Sequence, residues 1–354
     1  MATDDSMARS TSERFNLAEA ICRRHADRVT RVALLDVKRL AENCYTFGGL
    51  DYLSDKFAST LKECGITEGD AIAVILDQSA ALVVAELGAL KCGATVMPLS
   101  PALVLSDIEF AINDSGAKAL ITPFEKRSDY VAIARRTASI NSLFVAGDSR
   151  EAIHYEGAER SFWRDVFLAA SDFTPSVTEA NTPAFIFYVP ADDGSLRRVI
   201  HSHGAMLEQL AAFETLNHQD LRDGDALWCG DDWAAADLLR GLIYPAWWHG
   251  CAVVTQSAGG LTGASALQLF ERCDVTTAFV RNDLLNELLC IDAGVRARFT
   301  LKLRTLITRS EALTADDHQA TRERLGATLR GVSGKSESGL ITDDAAMTGS
   351  SDEE

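Results

Sequence analysis

The chain has 354 residues, 47% of them apolar and 24% charged, enough for a large core divided between two packed units of ordinary domain size. A net charge of −17 and a pI near 4.9 repel nucleic acids and anionic membranes at long range, so the composition favours a small neutral ligand or a partner protein with a basic patch. Eight scattered cysteines with no C-x-x-C pair predict buried, reduced thiols, and with an N-terminus that has neither a basic nor an apolar region they predict a cytoplasmic protein. No apolar run approaches the ~20 residues that cross a bilayer.

Residues 1–13 are polar, and a flexible N-terminus is expected there. From Phe15 the apolar residues Leu17, Ala20, Ile21 and Ala26 fall near one helical face. Short apolar runs at 32–37 and 45–47 read as strands. A helix follows over 50–64, with Leu53, Phe57 and Leu61 in register and Gly65 as its stop. Strand 70–76, helix 80–91, strand 94–99, helix 106–114 and strand 119–122 continue the series, and 131–148 supplies one more helix and strand. The polar stretch 149–181 reads as a link. A second series starts at Pro183: strand 184–189, a polar loop, Val199-Ile200, then helices at 203–214, 234–248, 264–272, 282–290 and 314–325 between strands at 226–229, 251–255, 276–280 and 303–308. From Thr342 the chain is small, polar and acidic, with too little apolar content to fold. Strands alternating with helices of about ten residues predict parallel, helix-covered sheets. The expected fold is therefore α/β, with two doubly wound lobes over 14–180 and 181–341, flanked by a flexible N-terminus and an acidic tail at 342–354.

Three motifs carry a resemblance. Gly65-Ile-Thr-Glu-Gly69-Asp70 is similar to a "G-V-x-x-G-D" lead into a strand, Leu90-Lys91-Cys92-Gly93-Ala94 through Pro98-Leu99 to "L-K-x-G-A-x-x-x-P-L", and Asp114-Ser115-Gly116-Ala117-Lys118 to "D-S-G-A-K". Their order and spacing resemble the opening of the adenylate-forming, acyl-CoA synthetase superfamily. The resemblance runs on through 182–209, 225–255 and 275–340 and is nearest to the acetate, medium-chain and benzoate branch. It implies a fold of two Rossmann-like lobes, and in active members an ATP-driven activation of a carboxylate followed by transfer to a thiol.

The residues that chemistry would need are altered. The family's phosphate loop, roughly Y-T-S-G-T-T-G-x-P-K-G, lets glycine backbones and hydroxyls approach phosphates. Here it reads Tyr188-Val189-Pro190-Ala191-Asp192-Asp193-Gly194-Ser195-Leu196-Arg197-Arg198, ungapped because His201-Ser202-His203 follows at the family distance. Pro190 removes an N–H donor, and Asp192 and Asp193 stand where phosphate oxygens would lie. A carboxylate ~4 Å from a phosphate costs about 1 kcal/mol in water and more when half-buried. Arg197 and Arg198 either offset that repulsion or pair with the two Asp. The adenine and metal motif G-Y-G-x-T-E reads Val332-Ser333-Gly334-Lys335-Ser336-Glu337, which keeps a hydroxyl at Ser336 and a carboxylate at Glu337 but loses the stacking aromatic. Arg309-Ser310-Glu311 replaces G-G-E. The sequence stops before the family's ribose-binding Asp and the C-terminal domain with its catalytic Lys.

Trp233 is a candidate wall of a ligand pocket, and core or subunit packing is expected for Trp247 and Trp248. His201 and His203 are expected to serve structure or capping rather than acid–base work. These features imply a catalytically impaired relative that binds a small carboxylate or acyl compound, docks on a protein partner or self-associates, and needs no cofactor. The alternatives are a working carboxylate–CoA ligase using ATP, Mg and CoA and completed by a partner chain, or a purely structural subunit.

Overall fold

A computed structural model describes residues 14–38, 41–147, 157–191, 193–217, 220–256, 259–310, 313–335 and 339–342. The expected flexible N-terminus, residues 343–354 of the expected acidic tail, and the site candidates Asp192, Ser336 and Glu337 lie outside the described residues, whereas Thr342, the tail's expected first residue, ends β15. The strands in chain order are β1 (Val32–Lys38), β2 (Ala41–Thr46), β3 (Ala71–Val74), β4 (Thr95–Pro98), β5 (Ala119–Pro123), β6 (Ser142–Ala146), β7 (Glu159–Ser161), β8 (Pro183–Pro190), β9 (Leu196–Ser202), β10 (Ala226–Cys229), β11 (Ala252–Thr255), β12 (Thr277–Phe279), β13 (Thr305–Arg309), β14 (Thr328–Lys335) and β15 (Gly339–Thr342). Four helices matter most below: α1 (Leu17–Arg23), α2 (Phe47–Glu63), α3 (Ala80–Lys91) and α4 (Leu105–Ser115).

The fold is mixed α/β, with two parallel-rich sheets. One sheet has seven strands in the order β7-β6-β5-β3-β4-β8-β9, the other eight in the order β15-β14-β13-β12-β10-β11-β1-β2. Among the described residues, the outer strand pairs β8–β9, β1–β2 and β14–β15 are antiparallel and the other strand pairs parallel. Each sheet lies in its own compact unit. The first unit comprises Met1–Arg24, Gly48–Leu76 and Ala81–Glu208; the second comprises His25–Phe47, Asp77–Ala80 and Gln209–Glu354.

This division corrects the expected strand allotment on either side of residue 180. β8 and β9 belong with the first sheet, because Phe185 pairs with Val96 of β4. β1 and β2 belong with the second, because Leu34 to Asp36 pair with Val253 to Thr255 of β11. Pairing to a distant strand outweighs neighbourhood along the chain. The stretch 149–181 is also more than a link, since it supplies β7 and a short helix, Phe162–Leu168. Residues 203–214, expected as one helix, form a short 3₁₀ turn, Ala205–Leu207, and then a helix, Leu210–Leu216.

The first unit's core is built on period. β3 and β4 are buried at every position, as strands covered on both faces must be. α3 is buried along almost its whole length, and its apolar residues run all round it. It packs so closely on α2 that a Cβ at Gly88 would sit 2.8 Å from a ring carbon of Phe57. On one face of the sheet Ile108, Ala111 and Ile112 of α4 join Ala73, Met97, Leu120 and Ile186 in a single cluster.

A five-charge network ties α1, α2 and α3 together. The Lys91 ammonium, fully buried, donates to Asp51 Oδ1 at 2.6 Å, Asp55 Oδ1 at 2.6 Å and the Asp51 carbonyl at 2.9 Å. The Arg23 guanidinium reaches both Asp51 oxygens at 3.1 Å, Asp55 at 3.3 Å and Glu19 at 3.1 Å. Burial pulls both aspartyl carboxyls up. Lys91 and Arg23 reverse that for Asp51, which is held below the ordinary value, but not for Asp55, which stays above it.

In the second unit Trp228, Phe270, Leu285, Leu288 and Leu306 centre the core. All eight cysteines are free, but Cys44 and Cys290 are exposed and Cys64 is half-buried, against the expectation of burial throughout. Among the described residues no helix is long and apolar enough to cross a membrane.

Candidate functional site

The altered loop is the tip of the β8–β9 hairpin. β8 reads Pro-Ala-Phe-Ile-Phe-Tyr-Val-Pro and is buried over Ala184–Phe187, which anchors the hairpin in the first unit's core. Pairing runs in register from Phe185↔His201 to Pro190↔Leu196, so five residues, 191–195, make the turn. Gly194 has φ +81°, a left-handed conformation that L side chains rarely adopt, which accounts for the one motif glycine retained.

Three backbone donors and one hydroxyl of the tip bond within the turn itself. The Ala191 N–H donates to the Ser195 carbonyl at 2.8 Å and the Gly194 N–H to the Ala191 carbonyl at 2.9 Å. One oxygen of Asp193 accepts both the Ser195 N–H at 2.9 Å and the Ser195 hydroxyl at 2.6 Å. These two bonds, the hydroxyl's first, hold the exposed Asp193 carboxyl below the usual carboxylate range. A phosphate cradle needs N–H and O–H groups converging on an empty centre. Here three N–H groups and one hydroxyl are already bonded within the turn.

The hairpin's stem is pinned to α4. The Tyr188 hydroxyl donates to Asp114 Oδ2 at 2.6 Å, and the Arg198 guanidinium lies 3.7 Å from the same oxygen. Arg198 stands directly across the ladder from Tyr188, so the two share one face of the sheet. Burial, with the Asp114 carboxylate beside it, raises the Tyr188 phenol above its ordinary value. Arg198 thus pairs with Asp114 at the end of α4. Arg197, paired across the ladder with Val189, is exposed on the opposite face.

Asp193, Gly194, Ser195 and Arg197 are brought together by one hairpin of the first unit. Trp233 belongs to the second unit. It is 2% exposed and its indole N–H donates to the Cys229 carbonyl at 3.2 Å, so its polar edge is already satisfied. Trp247, as expected, is core, donating to the Ala33 carbonyl at 2.9 Å, whereas Trp248 is half-buried. At the carboxyl end of β13, Arg309 bonds the buried Asp237 at 2.5 Å and lies over the Phe279 ring at 5.7 Å. Ser333 lies in β14, opposite Ile341 of β15. His203 is buried and its Nδ1 accepts the Leu17 N–H at 3.1 Å, which caps the start of α1. Among the described residues no group of three or more His, Cys, Asp or Glu side chains is placed to hold a metal ion.

Two parallel-rich α/β sheets, with an antiparallel hairpin at the edge of one of them, match an N-terminal portion of the adenylate-forming fold. The chain belongs to the AMP-binding enzyme family, whose model matches residues 19–354. The acetyl-coenzyme A synthetase of Chlorobaculum tepidum is 26% identical over 202 residues, which is 54% of this chain and 30% of that protein. The mitochondrial acyl-coenzyme A synthetase ACSM1 of Mus musculus is 23% identical over 300 residues, 84% of this chain and 50% of its own. The chain thus spans between 30% and 50% of the length of these two curated relatives. Among solved structures, the Brucella canis acyl-CoA synthetase superposes with a TM-score of 0.80 at 22% identity, over 95% of this chain and 60% of that one. The anthranilate CoA ligase AuaEII, solved with anthranoyl-AMP, does so with a TM-score of 0.77 at 19% identity, over 93% and 63%.

Proposed function

We propose that this AMP-binding family member is a binding protein without ATP-dependent adenylation activity, acting through a small carboxylate or acyl ligand or by docking on another protein. The self-bonded hairpin tip carries this reading. An incoming phosphate would have to displace the Asp193 carboxylate from the Ser195 N–H and hydroxyl, and it would meet that carboxylate's charge at contact distance. Pro190 offers no N–H in compensation. The Arg309–Asp237 pair adds support, because a guanidinium fills a position that the family gives to glycine. The acidic surface favours a partner with a basic patch.

Melting temperature tests the reading. A ligand of the folded state at one hundred times its Kd adds about 2.7 kcal/mol, about 5 °C or more in a unit of this size. The expected result is a shift with a member of a carboxylate and acyl-compound panel and none with ATP·Mg or AMP at millimolar concentration. A millimolar-range ATP or AMP shift that Asp193→Ala alters contradicts the proposal. Absence of any shift leaves docking on a protein as the operative mode.

A second reading is favoured by a specific observation. The curated relatives are named as coenzyme A synthetases, and this chain spans only part of their length. The same fold would then be one portion of a carboxylate–CoA ligase completed by another chain, with ATP, Mg and CoA as its cofactors. ATP binding at the hairpin separates the two readings.

A further inference from the structure

α1 is attached to the first unit at both ends, by joints of different chemistry. At its carboxyl end Arg23 sits in the network of Asp51, Asp55, Glu19 and Lys91. At its amino end Asn16 caps the helix, accepting the Ala18 and Glu19 N–H groups and donating to the Leu90 carbonyl at 2.8 Å. The remaining N-terminal donor, the Leu17 N–H, goes to His203 Nδ1 at 3.1 Å. An N–H can only donate, so Nδ1 must carry its lone pair and the imidazole must be neutral, with its proton on Nε2. His203 is fully buried, and its Nε2 has no hydrogen-bond partner among the described residues. Its own backbone N–H donates to the Thr182 carbonyl, which fixes the main chain at the exit of β9.

We infer that the Leu17–His203 bond is an acid-weakened joint: a proton on Nδ1 turns the acceptor into a donor facing a donor and breaks that bond, leaving the amino end of α1 held by Asn16 on Leu90 and Phe15 on Thr178 while its carboxyl end stays held by Lys91 and Arg23. The step is a proton uptake only, from water to Nδ1, and it breaks one hydrogen bond. Burial is the cause that lowers His203 to about 4; no charged side chain contributes. Of the charged groups on the neighbouring helices, Glu19 and Arg23 on α1, Asp51 and Asp55 on α2 and Lys91 on α3 are bonded to one another; Glu19 also lies 3.8 Å from Arg14, Lys56 of α2 donates to the Ala169 carbonyl, and Glu86 of α3 is buried. The sign follows from the depressed value. The opened joint, with its imidazole in water, takes up a proton near 6.5, whereas the closed one does so only near 4. Closure is therefore fully favoured above pH 6.5 and weakens as pH falls towards 4. Between pH 7 and pH 5 the opening equilibrium rises on the order of twentyfold, from the ratio of the two protonation factors.

Amide hydrogen exchange of the full chain, resolved to single residues and corrected for the intrinsic pH dependence of exchange, reads this directly. Leu17 is expected to lose protection on the order of twentyfold between pH 7 and pH 5, while Arg23 and the β3 amides keep theirs. In His203→Gln, whose amide oxygen accepts at all pH values, the Leu17 change is expected to vanish. Should that variant fail to fold, ring nitrogen shifts of His203 in the native chain must titrate near pH 4 together with the Leu17 amide shift. Unchanged Leu17 protection, the same pH dependence in His203→Gln, or separate midpoints for ring and amide would overturn the inference.

Discussion

Replacing Lys91 by methionine tests how the first unit is held together. Methionine keeps an unbranched apolar side chain in the space and removes only the ammonium. That ammonium is fully buried and has three acceptors at 2.6, 2.6 and 2.9 Å. Breaking a buried ion pair from one side typically costs about 3–5 kcal/mol, because the charge left behind is uncompensated. Arg23 still reaches both carboxylates, at 3.1 and 3.3 Å, so the lower end of that range, about 3 kcal/mol at pH 7, is expected. The pH dependence is distinctive. Without Lys91 both aspartyl carboxyls rise above their unfolded value, so the folded state takes up protons first and the deficit shrinks as pH falls from 7 to 5. Asp55→Asn in the same chain removes one of the two stranded charges and should recover part of the loss. Native-state hydrogen exchange of α2 amides in urea gives the free energy of opening for this unit. A deficit below about 1 kcal/mol at pH 7, or one that grows with acidity, would refute the reasoning.

Two further substitutions probe other parts of the fold. Gly88→Ala places a methyl 2.8 Å from the Phe57 ring and 3.0 Å from the Ser54 carbonyl, so α2 and α3 must part; a loss of about 1–3 kcal/mol in urea unfolding is expected, although alanine is the better helix former. Thr314 caps the helix Ala315–Leu325 in a reciprocal box with Asp317, and Thr314→Ala should cost about 1 kcal/mol, read as a lower urea midpoint at unchanged slope.

Much of the fold is written locally. Glycines with positive φ at 65, 93 and 116 stand where a helix or its turn ends, and the buried runs of β3, β4 and β5 read as strands covered on both faces. Sheet membership is not local. β1 joins β11, more than two hundred residues away, and β8 joins β4, so a cut between two consecutive lobes misplaces both pairs. β14 and β15 are hard to see because Arg330-Gly-Val-Ser-Gly-Lys335 offers no apolar run. At the candidate site the charge reversal of the loop is legible residue by residue. Its consequence is not: the Asp193 carboxylate turns inward onto Ser195, and Tyr188 finds Asp114 from 74 residues away. Both depend on the turn geometry that pairing of β8 with β9 imposes.

The central claim is that the tip of the β8–β9 hairpin no longer receives phosphate. Isothermal titration of the chain with ATP·Mg measures this most directly. No saturable heat is expected up to millimolar nucleotide, both for the native chain and for Tyr188→Phe, which removes the hydroxyl's bond to Asp114 and leaves Arg198 beside it. Saturable binding by the native chain that is weakened or lost when Ser195 is replaced by alanine would place phosphate at the tip and contradict it.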